Sequence, residues 1–285
     1  MRRRMGCLLI VALGVVAFGL LIDWIVRNRM NQDRVYCTNN LRQLAQFTDT
    51  RAKPDGVKPS IDTMAVPPGT IANPSLPADQ RLSWVVELLP TFDQRQQNTT
   101  ELMVTIRRGE AWDGPGNIGP SRTVLPMLNC YGNPMKAPSG DPAFTQYVGS
   151  GGVDKNAPSW GGVPFPFAPG GPVVYPNTAG CFHYDAPTPF RAITDGLSNT
   201  ILFAEISTDV GPWIRGGPST IRTYDPRGTA VKPIGVGGQF GGNHAYGTNF
   251  GFADYSVHAF TEKTDPEVLK RLFTIADGET EVAFD

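Results

Sequence analysis

An apolar stretch near the N-terminus is the longest hydrophobic feature of the chain. It begins at Met5, and eighteen residues up to Ile22 carry no charge. Extended to Val26, the stretch reaches the roughly 20 residues that a helix needs to cross a bilayer core of about 30 Å. The pattern therefore predicts a transmembrane anchor that begins at Met5 and ends at Val26.

Beyond this anchor the apolar positions continue with the spacing of one helical face, while most charged residues lie off that face. Pro54 and Gly56 end the pattern. We therefore expect one helix that leaves the membrane and packs a stripe of side chains against a folded domain. The predicted stripe consists of Val26, Met30, Cys37, Leu41, Leu44 and Ala45.

The remainder of the chain is rich in residues that break helices. The whole chain contains 32 glycines and 26 prolines, a composition that favours short strands joined by long turns. The predicted fold class is α+β, in which a long N-terminal helix packs on a mostly antiparallel, loop-rich β domain. Residues 1–26 form the basic tail and anchor in this prediction, and residues 27–285 form one domain.

Local patterns predict several elements in the first half of this domain. Ser83 precedes an apolar run that we interpret as a capped helix, with a buried strand as the alternative. Residues 102–106 fit a strand or the end of a second helix. Residues 124–130 and 145–148 are predicted strands. Residues 149–176 are predicted to be an irregular surface insertion, and a ligand-binding loop is the alternative.

The second half has clearer signals. Asp195 and Gly196 predict a turn before a strand at residues 200–204 that is covered on both faces. Residues 247–260 predict a β-hairpin. Asp265 is the predicted N-cap of a short final helix.

Charge gives little information about partners but some about topology. Lys plus Arg number 25 and Asp plus Glu 26, so there is no basic footprint for nucleic acid. A basic N-terminus before an apolar run is typical of a signal anchor, with the N-terminus in the cytoplasm and the domain outside. A cleaved signal peptide is the alternative.

Candidate catalytic and metal-binding residues are sparse. The three histidines lack the short spacings of zinc sites, which argues against a metal centre. A hydrolase triad could be assembled from Ser198, His244 and either Asp254 or Asp195, but no G-x-S-x-G motif surrounds the serine. Asp195, Asn199 and Glu205 offer oxygen ligands for calcium, but without EF-hand spacing, so a turn-forming role is favoured.

Several segments resemble one known family in the same order along the chain. His244 followed after nine residues by Asp254 resembles the His-x9-Asp-Gly signature of prepilin-like proteins of the domain-of-unknown-function 1559 family, with Tyr255 in place of the glycine. The segment that begins at Cys37 and the run Asp195, Gly196, Leu197, Ser198, Asn199, Thr200 are similar to other blocks of that family, and Glu205 closes the strand after this run. The resemblance covers roughly residues 36 to 282.

This resemblance implies a pilin-like helix, an extracytoplasmic domain and no established enzymatic activity or cofactor. The family-like positions of Cys37 and Cys130 imply a disulfide between them. Val11 stands where a type IV prepilin has its glutamate, so we expect the anchor to stay uncleaved.

We therefore predict a membrane-anchored structural or surface-interaction protein, with the bilayer and pilin-like or cell-surface proteins as partners. The alternative is a module that binds a glycan or peptide through aromatic residues on loops. A hydrolase using the triad above is a remote third hypothesis. The aromatic residues in question are Trp112, Trp160, Phe165 and Phe167.

Overall fold

The computed structural model describes residues 2–51, 61, 64–92, 99–159, 163–164, 173–228, 231–244 and 246–279. Four α-helices lie within this part of the chain: α1 Arg2–Arg51, α2 Val85–Phe92, α3 Thr99–Thr105 and α4 Pro266–Leu272. Short 3-10 helices are found at Ala78–Gln80, Pro120–Arg122, Pro126–Leu128, Ala157–Ser159, Phe190–Ala192, Leu197–Asn199 and Gly217–Ser219.

The strands are short and mostly antiparallel. They are β1 Ala65–Val66, β2 Phe144–Thr145, β3 Tyr147–Val153, β4 Val163–Pro164, β5 Val173–Val174, β6 Thr188–Pro189, β7 Ile201–Glu205, β8 Gly211–Pro212, β9 Ile221–Tyr224, β10 Thr248–Phe252 and β11 Val257–Phe260. Five of them form the main sheet in the order β11-β10-β7-β3-β9, in which only β3 and β9 run parallel. The α+β class is confirmed, and the expectation of antiparallel pairing holds for all but that pair.

The three central strands of this sheet are buried along their whole length. Strands covered on both faces need apolar or small residues at successive positions, and β7, with the sequence Ile-Leu-Phe-Ala-Glu, meets this requirement up to its last residue. The predicted strand at residues 200–204 is therefore confirmed, and so is the predicted hairpin, formed by β10 and β11.

The second half of α1 docks on this sheet. Cys37, Leu41, Leu44 and Ala45 are fully buried, and the helix contacts β7 and β10. These residues belong to the predicted stripe, which is confirmed over this length. The stripe does not extend to Val26 and Met30, which remain 49% and 42% exposed because the domain does not reach that part of the helix.

The predicted membrane anchor occupies the first half of α1. Its residues 5–12 have no described side chains. In the rest of the described chain, no helix combines the length and the apolar character needed to cross a bilayer. The described side chains start at Leu13, and the eighteen residues from there include the charged residues Asp23, Arg27 and Arg29. These charges make that stretch too polar to count as a membrane span.

Two strand and loop predictions were wrong. Residues 124–130 form no strand, because Pro126 starts a 3-10 helix there. Residues 149–153, predicted to be loop, belong to the central strand β3. Glycine is required at Gly149 because a Cβ atom would lie 2.5 Å from the ring of Phe182. Composition indicated a loop, whereas the glycine at this position of the strand allows close packing against an aromatic ring.

Helix boundaries were predicted more accurately. The hydroxyl oxygen of Ser83 accepts a hydrogen bond of 3.2 Å from the amide of Val85, as expected for a helix start. The side chain of Asp265 accepts from the amide of Glu267 at 2.9 Å at the start of α4. At residues 102–106, α3 bears out the helical alternative.

Candidate functional site

Four side chains with metal-ligating or nucleophilic atoms meet where α1 docks on the sheet. They are Cys37, Cys130, Glu205 and His244, and one ligand atom from each lies within 4.8 Å of the others. We call this group the thiol–imidazole–carboxylate cluster. All four side chains are almost completely buried, with exposures between 0% and 3%.

Each member reaches the cluster from a different element. Cys37 lies on the buried face of α1, and Glu205 ends the central strand β7. Cys130 follows the 3-10 helix Pro126–Leu128, and its amide donates a hydrogen bond of 2.6 Å to the side-chain oxygen of Gln146. His244 precedes β10. The docking of the helix therefore assembles the group.

The distances between the atoms are short. The Sγ atoms of Cys37 and Cys130 are 2.7 Å apart, and Sγ of Cys130 is 3.1 Å from Nε2 of His244. The same Nε2 atom is 3.5 Å from Oε1 of Glu205. Both cysteines are free thiols in the structure. The disulfide implied by the family resemblance therefore remains a prediction, for which the two sulfur atoms are suitably close.

The carboxylate of Glu205 is held by a neighbour on β10. The backbone amide of Asn249 donates to Oε2 at 2.8 Å, and its side-chain amide donates to Oε1 at 2.9 Å. The ring of His244 stacks on Tyr246, with centroids 5.0 Å apart, and the guanidinium of Arg34 on α1 lies 4.4 Å from the centroid of the Tyr246 ring. These contacts fix the orientation of both ligating groups.

Two glycines make room for the cluster. A Cβ atom on Gly132 would lie 2.8 Å from Cε1 of His244. A Cβ atom on Gly242 would lie 2.5 Å from Oε2 of Glu205. Real Cβ atoms do not approach other atoms this closely, so side chains at these positions would displace the imidazole or the carboxylate.

The proximity of the four groups shifts their protonation. The hydrogen bond with Cys130 is the main reason that the pKa of Cys37 falls to about 4, against the opposing effect of burial. The same contact raises the pKa of Cys130. Burial alone would lower the pKa of His244, but hydrogen bonds with Cys37 and Glu205 outweigh it and raise the value to about 10. Burial raises the pKa of Glu205.

The other predicted site residues lie in turns. Asp195 is buried and accepts hydrogen bonds from the amides of Asp277 and Gly278, at 2.9 and 3.0 Å. Gly196 has a φ of 101°, as expected for the predicted turn. The side chains of Asn199 and Thr200 donate to backbone carbonyls four residues back. These contacts agree with the turn-forming role.

The three residues of the hypothetical triad have other partners. Ser198 is exposed on the 3-10 helix Leu197–Asn199. Asp254 accepts hydrogen bonds from the amide and the hydroxyl of Ser256. His244 contacts Cys130 and Glu205. Within the described part of the chain, the hydrogen bonds of these residues connect none of the three with another.

The structure describes only one of the four aromatic residues in the binding-module hypothesis. Trp112 is half-buried, with the guanidinium of Arg215 above its ring at 5.6 Å. Trp160, Phe165 and Phe167 lie outside the described residues. The contacts of Trp112 alone do not favour a glycan or peptide site.

The backbone of the turn after Asp254 is strained at Tyr255. This residue stands where the signature that the sequence resembles has glycine, and its φ is 71°. A side chain in this conformation costs on the order of 1 kcal/mol. The tyrosine ring also packs partly against the core, so its removal loses contacts as well.

Comparing two substitutions at Tyr255 separates these effects. Both Tyr255→Gly and Tyr255→Ala remove the ring, but only glycine relieves the positive φ. We expect the glycine variant to melt about 2 to 4 °C above the alanine variant, the shift that about 1 kcal/mol produces in a domain of this size. Thermal unfolding followed by circular dichroism measures this. An alanine variant that melts at the same temperature as the glycine variant, or at a higher one, would contradict a strained turn.

The sequence named all four members of the cluster but did not predict their convergence. The spacing argument against a zinc site does not detect such a group, because it considers only residues close together in the sequence. In the folded chain the four residues come from separate segments, and successive members are between 39 and 93 residues apart. Only the docking of α1 on β7 and β10 places them together.

The family comparison covers most of the domain that carries this cluster. Residues 61–267 match the family model described as "Protein of unknown function (DUF1559)", which is more than two thirds of the chain. The chain belongs to this family. Three members of the cluster lie within the match, while Cys37 precedes it. No curated protein and no solved structure shows a significant match.

Proposed function

We propose that this DUF1559 protein is a non-catalytic, pilin-like structural protein, held at a membrane with its domain on the extracytoplasmic side. The observation that carries the proposal is the division of α1 into two parts. From Leu13 to Tyr36 nearly every residue is exposed, whereas one face is buried from Cys37 to Thr48. The helix thus belongs to the domain only at one end.

The undocked part of this helix is strongly apolar. Ten large apolar side chains between residues 13 and 26 are 45% to 66% exposed. They occur at almost successive positions, so they surround the helix instead of forming one stripe. Exposed apolar surface of this extent marks contact with a membrane or with other proteins. The ten are Leu13, Val15, Val16, Phe18, Leu20, Leu21, Ile22, Trp24, Ile25 and Val26.

The burial of the reactive groups supports a non-catalytic role. The side chains of Glu205 and His244 are 1% and 3% exposed, and Cys37 is fully buried. A catalytic group must contact its substrate, and these groups are enclosed by packed protein. Their arrangement suits a structural junction between helix and sheet.

Liposome flotation of the full chain tests the anchor. We expect the wild type to float with liposomes and to resist extraction at alkaline pH. A double variant, Val16→Asp with Leu20→Asp, should show at least a tenfold smaller lipid-bound fraction, because each buried aspartate costs about 2.5 to 3.5 kcal/mol within a bilayer. The control is the double variant Asn31→Asp with Gln32→Asp, which adds the same charge at exposed polar positions of the same helix. It should float with liposomes like the wild type.

The folded domain must remain intact in both double variants. The substituted residues lie outside the docked part of α1, so the thermal melts should coincide with that of the wild type. A wild-type chain that stays entirely in the lipid-free fraction would contradict membrane attachment. An equal loss of the lipid-bound fraction in the test and control variants would also contradict attachment through the apolar part of α1.

A further inference from the structure

We propose that the thiol–imidazole–carboxylate cluster binds one divalent transition metal ion of the zinc class, which fastens α1 to the sheet. This inference goes beyond the structural role proposed above and does not depend on membrane attachment. Thiolate, imidazole and carboxylate are the three protein ligand types found at zinc sites. Four protein ligands with no open position are typical of a structural site, not a catalytic one.

Three of the six distances between ligand atoms lie within about 1 Å of those in a tetrahedral zinc site. Zinc lies about 2.3 Å from sulfur and about 2.0 to 2.2 Å from nitrogen or oxygen, which places tetrahedral ligand atoms about 3.4 to 3.8 Å from one another. The distance of 3.5 Å between Nε2 of His244 and Oε1 of Glu205 already fits. The sulfur of Cys130 must move by about 0.5 Å from the imidazole, and the two sulfurs must separate by about 1 Å.

A divalent metal ion would take the place of the protons that the cluster holds without it. A metal centre requires both cysteines as thiolates, and with the Glu205 carboxylate these ligands carry three negative charges in a site with almost no exposure to water. Buried charges of one sign are costly unless they are compensated. A divalent ion compensates two of these charges and accepts electron pairs from all four ligands.

The surroundings of the cluster contain a further donor. The hydroxyl of Tyr147 is buried beside the thiol of Cys37 and has no oxygen or nitrogen partner among the described residues. A thiolate bound to a metal keeps lone pairs that accept such a donor. Together with Asn249, which already holds Glu205, this hydroxyl supplies the outer hydrogen bonds that metal ligands require.

Titration of the reduced full chain with Co²⁺ tests the proposal. We expect one Co²⁺ per chain, with the thiolate charge-transfer and strong visible absorption of tetrahedral cobalt–sulfur centres, and displacement of cobalt by one equivalent of Zn²⁺. Cys37→Ser and His244→Ala should each weaken Zn²⁺ binding by more than about a hundredfold, because each removes a ligand. Tyr147→Phe should weaken it about tenfold, as loss of an outer hydrogen bond does.

Cys181→Ser provides the matched control. This cysteine is also fully buried, but its thiol donates to the carbonyl of Ile201 at 3.4 Å, and it does not belong to the cluster. The control should bind Co²⁺ with the wild-type spectrum and affinity. An unchanged cobalt spectrum in Cys37→Ser and His244→Ala would overturn the assignment of the ligands.

The wild type alone also decides the question, even where a variant fails to fold. A reduced wild-type chain with a native circular dichroism spectrum and no cobalt absorption would overturn the proposal. Peptide mapping without reductant gives a further check, because the implied Cys37–Cys130 disulfide uses both sulfur ligands. If mapping finds this disulfide, it is reduced and the chain is tested for Zn²⁺ binding. A reduced chain that binds no Zn²⁺ would refute the metal site.

Discussion

Replacing Trp84 with alanine is expected to lower the free energy of unfolding by about 3 to 5 kcal/mol, the range for large aromatic residues in cores. Trp84 is fully buried, and its ring lies 5.5 Å from that of Phe182 and 5.1 Å from that of Phe203. Its indole nitrogen donates to the carbonyl of Thr220 at 2.9 Å. The substitution therefore creates a cavity and also removes one of the two hydrogen bonds to this carbonyl, which keeps the bond from the amide of Gly149 at 2.9 Å.

Urea denaturation of the wild type and two variants measures this effect. Trp84→Phe keeps most of the aromatic contacts but loses the hydrogen bond, so its loss of stability should fall between those of the wild type and Trp84→Ala. Trp112→Ala is the matched control, since its ring is only half-buried and should cost clearly less. A loss below about 1 kcal/mol for Trp84→Ala would show that this aromatic group does not hold the core together.

The sequence predicted those elements whose local pattern agrees with their final environment. The docked part of α1 has a regular apolar stripe ending at Ala45, and β7 has an uninterrupted apolar run. Asp265 and Ser83 precede their helices as caps. In each case a few neighbouring residues decide the structure, and tertiary packing reinforces the same choice.

The wrong predictions concern residues whose role depends on distant partners. Gly149 has no side chain because Phe182, far along the chain, occupies that space. Local composition therefore indicated a loop where the structure has a central strand. The extent of the docked stripe on α1 could not be predicted either, because it depends on how far the folded domain reaches along the helix.

The candidate site shows the same limit. Cys37 and Cys130 were paired through the family resemblance, whereas Glu205 was considered as a calcium ligand and His244 as a member of a triad or of the family signature. No spacing relates the two pairs, since their contact follows from the packing of a helix against a sheet. Sequence patterns identified the residues, but the three-dimensional contact between them was needed to identify their chemistry.

A second large effect is expected at Asp195, in the turn before β7. The carboxylate of Asp195 is buried and is the acceptor for the amides of Asp277 and Gly278, and its own amide donates to the carbonyl of Ile275 at 3.3 Å. It therefore holds the segment after α4 against the turn before β7. Removing a charged acceptor from two amides costs more than losing one neutral hydrogen bond.

Asp195→Ala is accordingly expected to lower the free energy of unfolding by about 2 to 4 kcal/mol, because two donors lose their acceptor at once. Asp195→Asn keeps one acceptor oxygen and should lose about half as much. Asp254→Ala is the control, since that aspartate is exposed and its carboxylate accepts hydrogen bonds from Ser256 nearby. Urea denaturation at pH 7 gives the three values, and hydrogen exchange at Asp277 and Gly278 locates the loss. If Asp195→Ala and Asp254→Ala cost the same, or if exchange at those two amides does not change, Asp195 does not anchor the C-terminal segment.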